Sequence, residues 1–176
     1  RAVSYLPLCH AAEQGVTNFS GLRTRAETYF CSDLTQVKDY LVEARPTFFL
    51  AVPRVWEKFE AALRGKLAEA TGIKAKLASW ARKTELEAFK KESETGQPVT
   101  SFKRNLANKL VISKIKEALG LDQLLVALSG AAPISVSTLE FFASIGLPIH
   151  EGYGMTETSA FASVQPYGRL KFGTTG

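Results

Sequence analysis

The amino-acid sequence predicts an α/β fold: βα units with a mostly parallel sheet plus a helical insertion. Three observations carry this reading. Short apolar runs alternate with segments of helical period near both ends of the chain. Two of these runs, TFFLAVP and LLVAL, are continuously apolar, as in parallel strands buried on both faces. The middle of the chain has helical period alone.

Residues 1–53 form a βα segment. AVSYLPL is apolar and favours a strand, ETYFCS is short and aromatic, and LTQVKDYLVEA carries Leu34, Val37 and Leu41 at helical spacing with Tyr40 beside them. TFFLAVP follows and is ended by Pro53. Residues 54–120 form a basic helical segment. Trp56, Phe59, Leu63 and Leu67, then Ile73, Leu77 and Trp80, recur at helical intervals, with Gly65 and Gly72 as the expected breaks. Core packing is the expectation for both tryptophans. ETGQPVTS is the one clear linker, and a further helix through Leu106, Leu110, Ile115 and Leu119 stops at Gly120. Residues 121–176 return to a βαβ pattern. LLVAL (Leu124 to Leu128) is a strand broken by SGAAP. SVSTLEFFASIG is a helix with Ser137 and Glu140 at capping-box spacing and Gly146 as its stop, and LPIHEGYG is the next strand.

With 176 residues, 45% of them apolar, the chain can bury a substantial core. No apolar run approaches the roughly 20 residues of a membrane span. The start, RAVSYLPLCH, has neither a charged leader with a long apolar core nor a cleavage site, so it reads as a chain already under way. Cys9 and Cys31 have no CxxC spacing and only His10 and His150 as companions, which argues against a metal centre or disulfide scaffold and points to a reducing compartment. The net charge of +5 is uneven: Arg54 to Lys116 holds 15 Lys or Arg against 7 Asp or Glu. That excess suits either a solvated helical face, given the interleaved glutamates, or an anionic partner.

If LLVAL and LPIHEGYG are joined by one helix, the crossover is right-handed and the strands are parallel. The loops that leave them, SGAAP and GYGMTE, then share the rim where open α/β sheets bind ligands. Gly130, Ala131 and Ala132 let a ligand approach the backbone closely. Tyr153, between Gly152 and Gly154, can stack on a planar heterocycle. Thr156 offers a hydroxyl, and Glu157 a hard carboxylate suited to Mg²⁺, with Glu151 as the alternative ligand. Together these suggest a magnesium nucleotide. A polar turn or helix cap is the competing reading of Thr156 to Thr158, a helix-start role that of His10, and a hydrogen-bonded core position that of His150.

YGMTET resembles the signature of the adenylate-forming acyl-CoA synthetases, and LSGAAP, about twenty residues earlier, resembles their adenine and acyl-pocket loop. YLPLCH is similar to the segment whose histidine faces the acyl substrate. FFLAVPRVWEKF and ISKIKEALG are similar to the long-chain, bubblegum-type branch. The four motifs stand in the family's order along essentially the whole chain. The resemblance implies an internal fragment of the large N-terminal domain of a long-chain fatty-acid:CoA ligase. Such an enzyme activates a fatty acid with ATP and Mg²⁺ to an acyl-adenylate and passes the acyl group to CoA. By the same resemblance Thr156 contacts a phosphate, Glu157 binds the metal, and His10 sits near the acyl or phosphate end. Tyr153, Gly130, Ala131 and Ala132 flank adenine, and Ser129, Pro133, Glu151, Gly152, Gly154 and Met155 complete the nucleotide loops. The family's upstream phosphate loop, ribose aspartate and lysine-bearing small domain have no counterpart here, and FGTTG resembles the turn that leads onward. The 176 residues alone are therefore expected to make no acyl-adenylate.

Two other readings stand beside this one: an adenylating enzyme that serves a carrier protein, and a non-catalytic basic module on an anionic membrane. Nucleic acid is not expected, because no basic strand interleaved with aromatics appears. The expected location is cytoplasmic or peripheral to an intracellular membrane.

Overall fold

The computed structural model describes residues 1–166 and 168–175. Among them are six strands, β1 (Ala2–Ser4), β2 (Thr28–Phe30), β3 (Phe48–Ala51), β4 (Val126–Ser129), β5 (Ile149–Tyr153) and β6 (Ser163–Val164). They form one sheet in the order β2-β1-β3-β4-β5-β6. The first five are mutually parallel and β6 runs antiparallel to β5. Each expected strand is present in shortened form. The two-residue β6 is too short to show a period and was not foreseen. Of the FGTTG stretch, Gly176 lies outside the described residues.

One core joins all three segments of the chain. Phe49 of β3, Trp56, Leu121, Phe142 and Ile149 of β5 are each at most 1% exposed and belong to the same cluster. Trp56 sits at its centre, edge-on to Phe49 at 5.4 Å and to Phe142 at 5.1 Å, and its indole N–H donates to the Leu128 carbonyl at 3.3 Å. A ring of this size lost from such a site costs about 3–5 kcal/mol. The helical segment is therefore packed onto the sheet and is not a separate body.

The helices differ from expectation in several places. Residues after His10 form α1 (Ala11–Glu13), a π-helical stretch (Gln14–Ser20) and α2 (Gly21–Thr24). Gly15, Gly21 and the β-branched Val16 and Thr17 lower helix propensity there and hid this element in the sequence. After α3 (Val37–Ala44), α4 (Pro53–Ala68) runs straight through Gly65, and the break falls at residues 69–71, before α5 (Gly72–Thr95). Ile73 is 85% exposed, so the buried face of α5 starts later, at Ala81. The next helix is interrupted: α6 (Phe102–Ala107), a π-helical turn (Asn108–Ile112) and α7 (Ser113–Leu119). The π turn adds one residue and shifts the buried stripe to Ala107, Ile112 and Leu119, which leaves Leu106 and Leu110 exposed. At its end Gly120 has φ +70°, and a Cβ there would lie 2.2 Å from the Leu41 carbonyl oxygen. Only glycine lets α7 and α3 come this close.

In α8 (Val136–Ala143) the cap is Ser135, whose Oγ accepts from the Thr138 N–H at 3.1 Å, rather than Ser137. Ser135 keeps extended backbone while Ser137 is already inside the helix. Arg64 of α4 and Arg82 of α5 both place their guanidinium against the Phe141 ring, at 4.6 and 4.7 Å. Arg104 of α6 donates to Glu85 at 2.7 and 3.0 Å, to Glu92 at 2.5 Å and to the Val99 carbonyl at 2.7 Å, so one side chain fastens α5, the linker and α6. These hydrogen bonds hold its pKa above the usual arginine range. Among the described residues no helix is long and apolar enough to cross a membrane.

Candidate functional site at the C-terminal rim of the sheet

Parallel pairing of β4 and β5, with Ser129 opposite Glu151, sends SGAAP and GYGMTE off the same edge of the sheet. The loops touch: a Cβ on Gly130 would lie 3.4 Å from the Gly152 carbonyl oxygen. They border a cavity of about 210 Å³ together with Leu6 and His10, which follow β1, and Val52, which follows β3. Of the residues singled out in the sequence, His10, Ser129, Gly130, Ala131, Gly152, Tyr153, Gly154, Met155 and Thr156 line this cavity. Ala132, Pro133, Glu151 and Glu157 do not.

The loop after β5 is shaped by its own backbone. The N–H groups of Thr158 and Ala160 both donate to the Met155 carbonyl, at 3.1 and 2.9 Å. The Thr158 hydroxyl accepts from the Met155 N–H at 3.2 Å and donates to its carbonyl at 3.0 Å. The two hydroxyls of TET are thus divided: Thr158 closes the turn, and Thr156 lines the cavity. Gly154 is obligatory, since a Cβ there would stand 1.6 Å from the Ala160 carbonyl oxygen. Glu157 is exposed on the same turn. Ala131 holds φ +70°, a left-handed conformation that costs a non-glycine residue about 1–3 kcal/mol and concentrates at ligand-contacting loops.

His10 takes the helix-start role. Its Nδ1 accepts from the Ala12 N–H at 3.3 Å, capping α1, and the ring also lines the cavity. With Nδ1 as acceptor, the neutral ring carries its proton on Nε2. Ser129 is 2% exposed, and among the described residues its hydroxyl has no hydrogen-bond partner. An orphaned buried hydroxyl costs about 1–3 kcal/mol. Its presence in the cavity wall fits a ligand that brings a polar group.

Neither Glu151 nor His150 lines this cavity. The Glu151 carboxylate accepts from the Gly173 N–H at 2.8 Å, and its own N–H donates to Gln165 Oε1 at 3.0 Å. Gln165 Nε2 in turn donates to the Thr174 hydroxyl at 3.2 Å, so this pair fastens the 171–174 turn to β5. Burial pushes the Glu151 carboxyl up from its usual pKa. His150 is a buried core histidine with Nδ1 3.2 Å from the Gln165 carbonyl oxygen, and burial pushes its pKa down. Among the described residues no cluster of three or more His, Cys, Asp or Glu could hold a metal. A Mg²⁺ at Glu157 would take its other oxygens from phosphate and water, the donor set this ion prefers.

A second, more apolar cavity of about 620 Å³ lies beside the first, against Phe48, Val126 and Leu128 of the sheet, Val16 of the π-helical stretch and Val164 of β6. The two cavities share Leu128 and Phe161. Neither Val16 nor Phe161 was singled out in the sequence. A histidine cap followed by Ala-Ala-Glu was the available signal for the helical segment that brings Val16 here.

The AMP-binding enzyme family model matches residues 1–176. Over 161 residues the chain is 42% identical to Long-chain-fatty-acid–CoA ligase ACSBG2 of Xenopus laevis, covering 89% of this chain and 22% of that protein. Over 181 residues it is 36% identical to Putative fatty-acid–CoA ligase fadD11 of Mycobacterium tuberculosis, covering 100% of this chain and 31% of that protein. The chain therefore spans about a fifth to a third of these relatives. Among solved structures it is similar to the A domain of carboxylic acid reductase from Segniliparus rugosus in complex with AMP and a co-purified carboxylic acid. That match has a TM-score of 0.51 and 22% identity over 88% of this chain and 20% of the other. The ATP-bound RpMatB-BxBclM chimera B1 matches with a TM-score of 0.57 and 18% identity over 99% of this chain and 25% of the other. The α/β fold with its mostly parallel sheet is shared with these two structures, and the chain belongs to the AMP-binding enzyme family.

Proposed function

We propose that these 176 residues are part of the large domain of an AMP-forming long-chain fatty-acid–CoA ligase, which activates a fatty acid with ATP and transfers it to CoA. The observation that carries this is the convergence of four motif segments on one cavity whose wall holds the orphaned Ser129 hydroxyl and Thr156. The names of the relatives and the AMP and carboxylic acid bound by the reductase domain support the same reading.

In this reading Gly130 and Ala131 let adenine lie against the backbone, Tyr153 covers its face, and Ser129 Oγ bonds a polar atom of the nucleotide. Thr156 donates to a phosphate oxygen. His10, held by its bond to Ala12, presents Nε2–H toward the meeting point of carboxylate and α-phosphate. Mg²⁺ beside Glu157 would neutralise phosphate charge. Bringing a carboxylate to a phosphate joins two anions, so positioning and charge neutralisation dominate the rate. The adjoining 620 Å³ cavity, apolar along Phe48, Val126 and Val164, takes the acyl chain. At about 210 Å³ the first cavity is smaller than the roughly 300–1,000 Å³ of complete small-molecule sites. The remaining wall comes from the rest of the enzyme, and the 176 residues alone are inactive. Part of the basic segment serves the fold itself, since Arg64, Arg82, Lys90 and Arg104 are engaged by Glu60, Phe141, Glu140 and Glu85.

The test is fatty-acid-dependent pyrophosphate release by the full-length enzyme, with acyl-CoA as the product when CoA is added. Thr156→Ala and Glu157→Gln are each expected to lower kcat by about 10²-fold, the scale of losing one transition-state contact. Wild-type enzyme that releases no pyrophosphate with any fatty acid, or variants as fast as wild type, would refute the assignment.

A further inference from the structure

The π turn between α6 and α7 leaves an apolar stripe facing water. Phe102, Leu106 and Leu110 follow one another every fourth residue and are 82%, 37% and 39% exposed, while Ala107 and Ile112 on the inner side are fully buried. Lys103 and Lys109 stand beside the stripe and Lys114 continues it, all three exposed. The ion pairs of the helical segment are made by Arg64, Lys83, Lys90 and Arg104. Among the described residues Lys91, Lys103, Lys109 and Lys114 enter none. Lys103 also lines, with Lys83, Lys91, Ser101 and Trp80, a cavity of about 410 Å³ between α5 and the start of α6. The one carboxylate in its wall, Glu87, lies 3.9 Å from Lys83.

We propose that this face of the helical segment docks on an anionic phospholipid surface, with Phe102, Leu106 and Leu110 inserted below the headgroups and the lysine-lined cavity holding lipid phosphates. Apolar side chains on one side of a helix with lysines around them are the pattern of helices that lie in a membrane interface. The long lysine stems let the ammonium groups stay at headgroup level while the stripe sinks. Three ammonium groups and the Ser101 hydroxyl supply the donors that phosphate oxygens accept from. The lysines also argue against a protein partner, because specific protein interfaces are enriched in Arg and depleted in Lys. Here the arginines are spent inside, Arg64 on Glu60, Arg82 on Phe141 and Arg104 on Glu85, and the lysines are left outside. A nucleic acid would engage the lysines and leave Phe102 in water. Docking of this kind is independent of the reaction assigned above, since none of these residues lines either cavity at the rim.

The full-length enzyme is sedimented with vesicles of phosphatidylcholine alone and of an equal mixture with phosphatidylserine. It is expected to bind the mixed vesicles and to leave them as salt is raised. A lysine near such a surface raises partitioning about fivefold, so Lys103→Gln, Lys109→Gln and Lys114→Gln together lower it about 10²-fold. Phe102→Ser lowers it about tenfold, and Phe102→Trp keeps it near wild type. The thermal midpoint, and fatty-acid-dependent pyrophosphate release without vesicles, stay at wild-type values in all these variants. No binding to the mixed vesicles, equal binding to both kinds, or partitioning that survives the three lysine changes overturns the proposal. So does Phe102→Ser that lowers the midpoint, because the stripe would then be covered by the rest of the enzyme, or that binds as well as wild type, because the lysines would then hold any polyanion. A wild-type enzyme that binds vesicles but releases no pyrophosphate overturns the functional assignment and leaves the docking face standing.

Discussion

The rim of the sheet and the helical segment behind it are built on opposite plans. At the rim, shape comes from backbone and small residues: Gly130 against Gly152, Gly154 against Ala160, and a left-handed Ala131. In the helical segment it comes from large side chains, with Trp56 wedged between Phe49 and Phe142, and Arg104 joining Glu85 to Glu92. Small residues admit a ligand to the backbone, and large ones make the platform rigid. Damage to the two regions should therefore appear in different measurements.

The largest expected effect is on the platform. Trp56→Ala leaves a cavity among Phe49, Phe59 and Phe142 and removes the donor to the Leu128 carbonyl. A loss of about 3–5 kcal/mol is expected, read as a lowered thermal midpoint of the full-length protein. Next comes Gly154→Ala at the rim. Its new methyl must displace the Ala160 carbonyl and with it the turn that sets Thr156. An ångström of misplacement near the chemistry costs about 10²-fold in kcat, with a smaller fall in midpoint than for Trp56→Ala. If Gly154→Ala lowers the midpoint as much as Trp56→Ala, the division between site and platform fails.

The same contrast explains what could be read from the sequence. The strands around the site were visible because β3 and β4 are apolar runs, and parallel pairing then forced the two loops to one edge. The chemistry was visible only as residue types. Nothing in TET says that Thr158 would be consumed by Met155 while Thr156 lines the cavity, since that division depends on how the turn closes. Nor did Glu151 announce its bond to Gly173, a partner twenty-two residues away. The segment after His10 was missed because glycines and β-branched residues mask its helical period, and Gly15 is the residue that seats Phe161. In the helical segment the stripe through Leu106 and Leu110 was displaced by a π turn, a change of one residue that no 3.6-residue pattern contains.

A third prediction sharpens the picture within the platform. Glu85 is 5% exposed in its side chain and takes two bonds from Arg104, whose side chain is 21% exposed. Glu85→Ala leaves the guanidinium with Glu92 and the Val99 carbonyl alone. A fully buried pair broken in this way costs about 3–5 kcal/mol, and partial solvation of Arg104 brings the expectation to about 1–3 kcal/mol. Thermal unfolding measures it. A loss equal to that of Trp56→Ala would mean that charge, and not packing, organises the platform.

The smallest effect lies at the edge opposite the site, where Arg45, just before β3, pairs with Asp122, just before β4. Hydrogen bonding from the Arg45 guanidinium holds the Asp122 carboxyl down to about 2. An unfolded aspartate titrates near about 3.9. The folded pKa is the lower of the two, so the pair's contribution is complete above the unfolded value. It is lost as pH falls through about 4 toward 2. Arg45 is half exposed, and solvent screening keeps the contribution small. Asp122→Asn should then lower the unfolding midpoint slightly at pH 7, and the difference from wild type should close on acidification. A gap that persists at pH 2 would assign the effect to the Asp122 hydrogen bonds rather than to its charge.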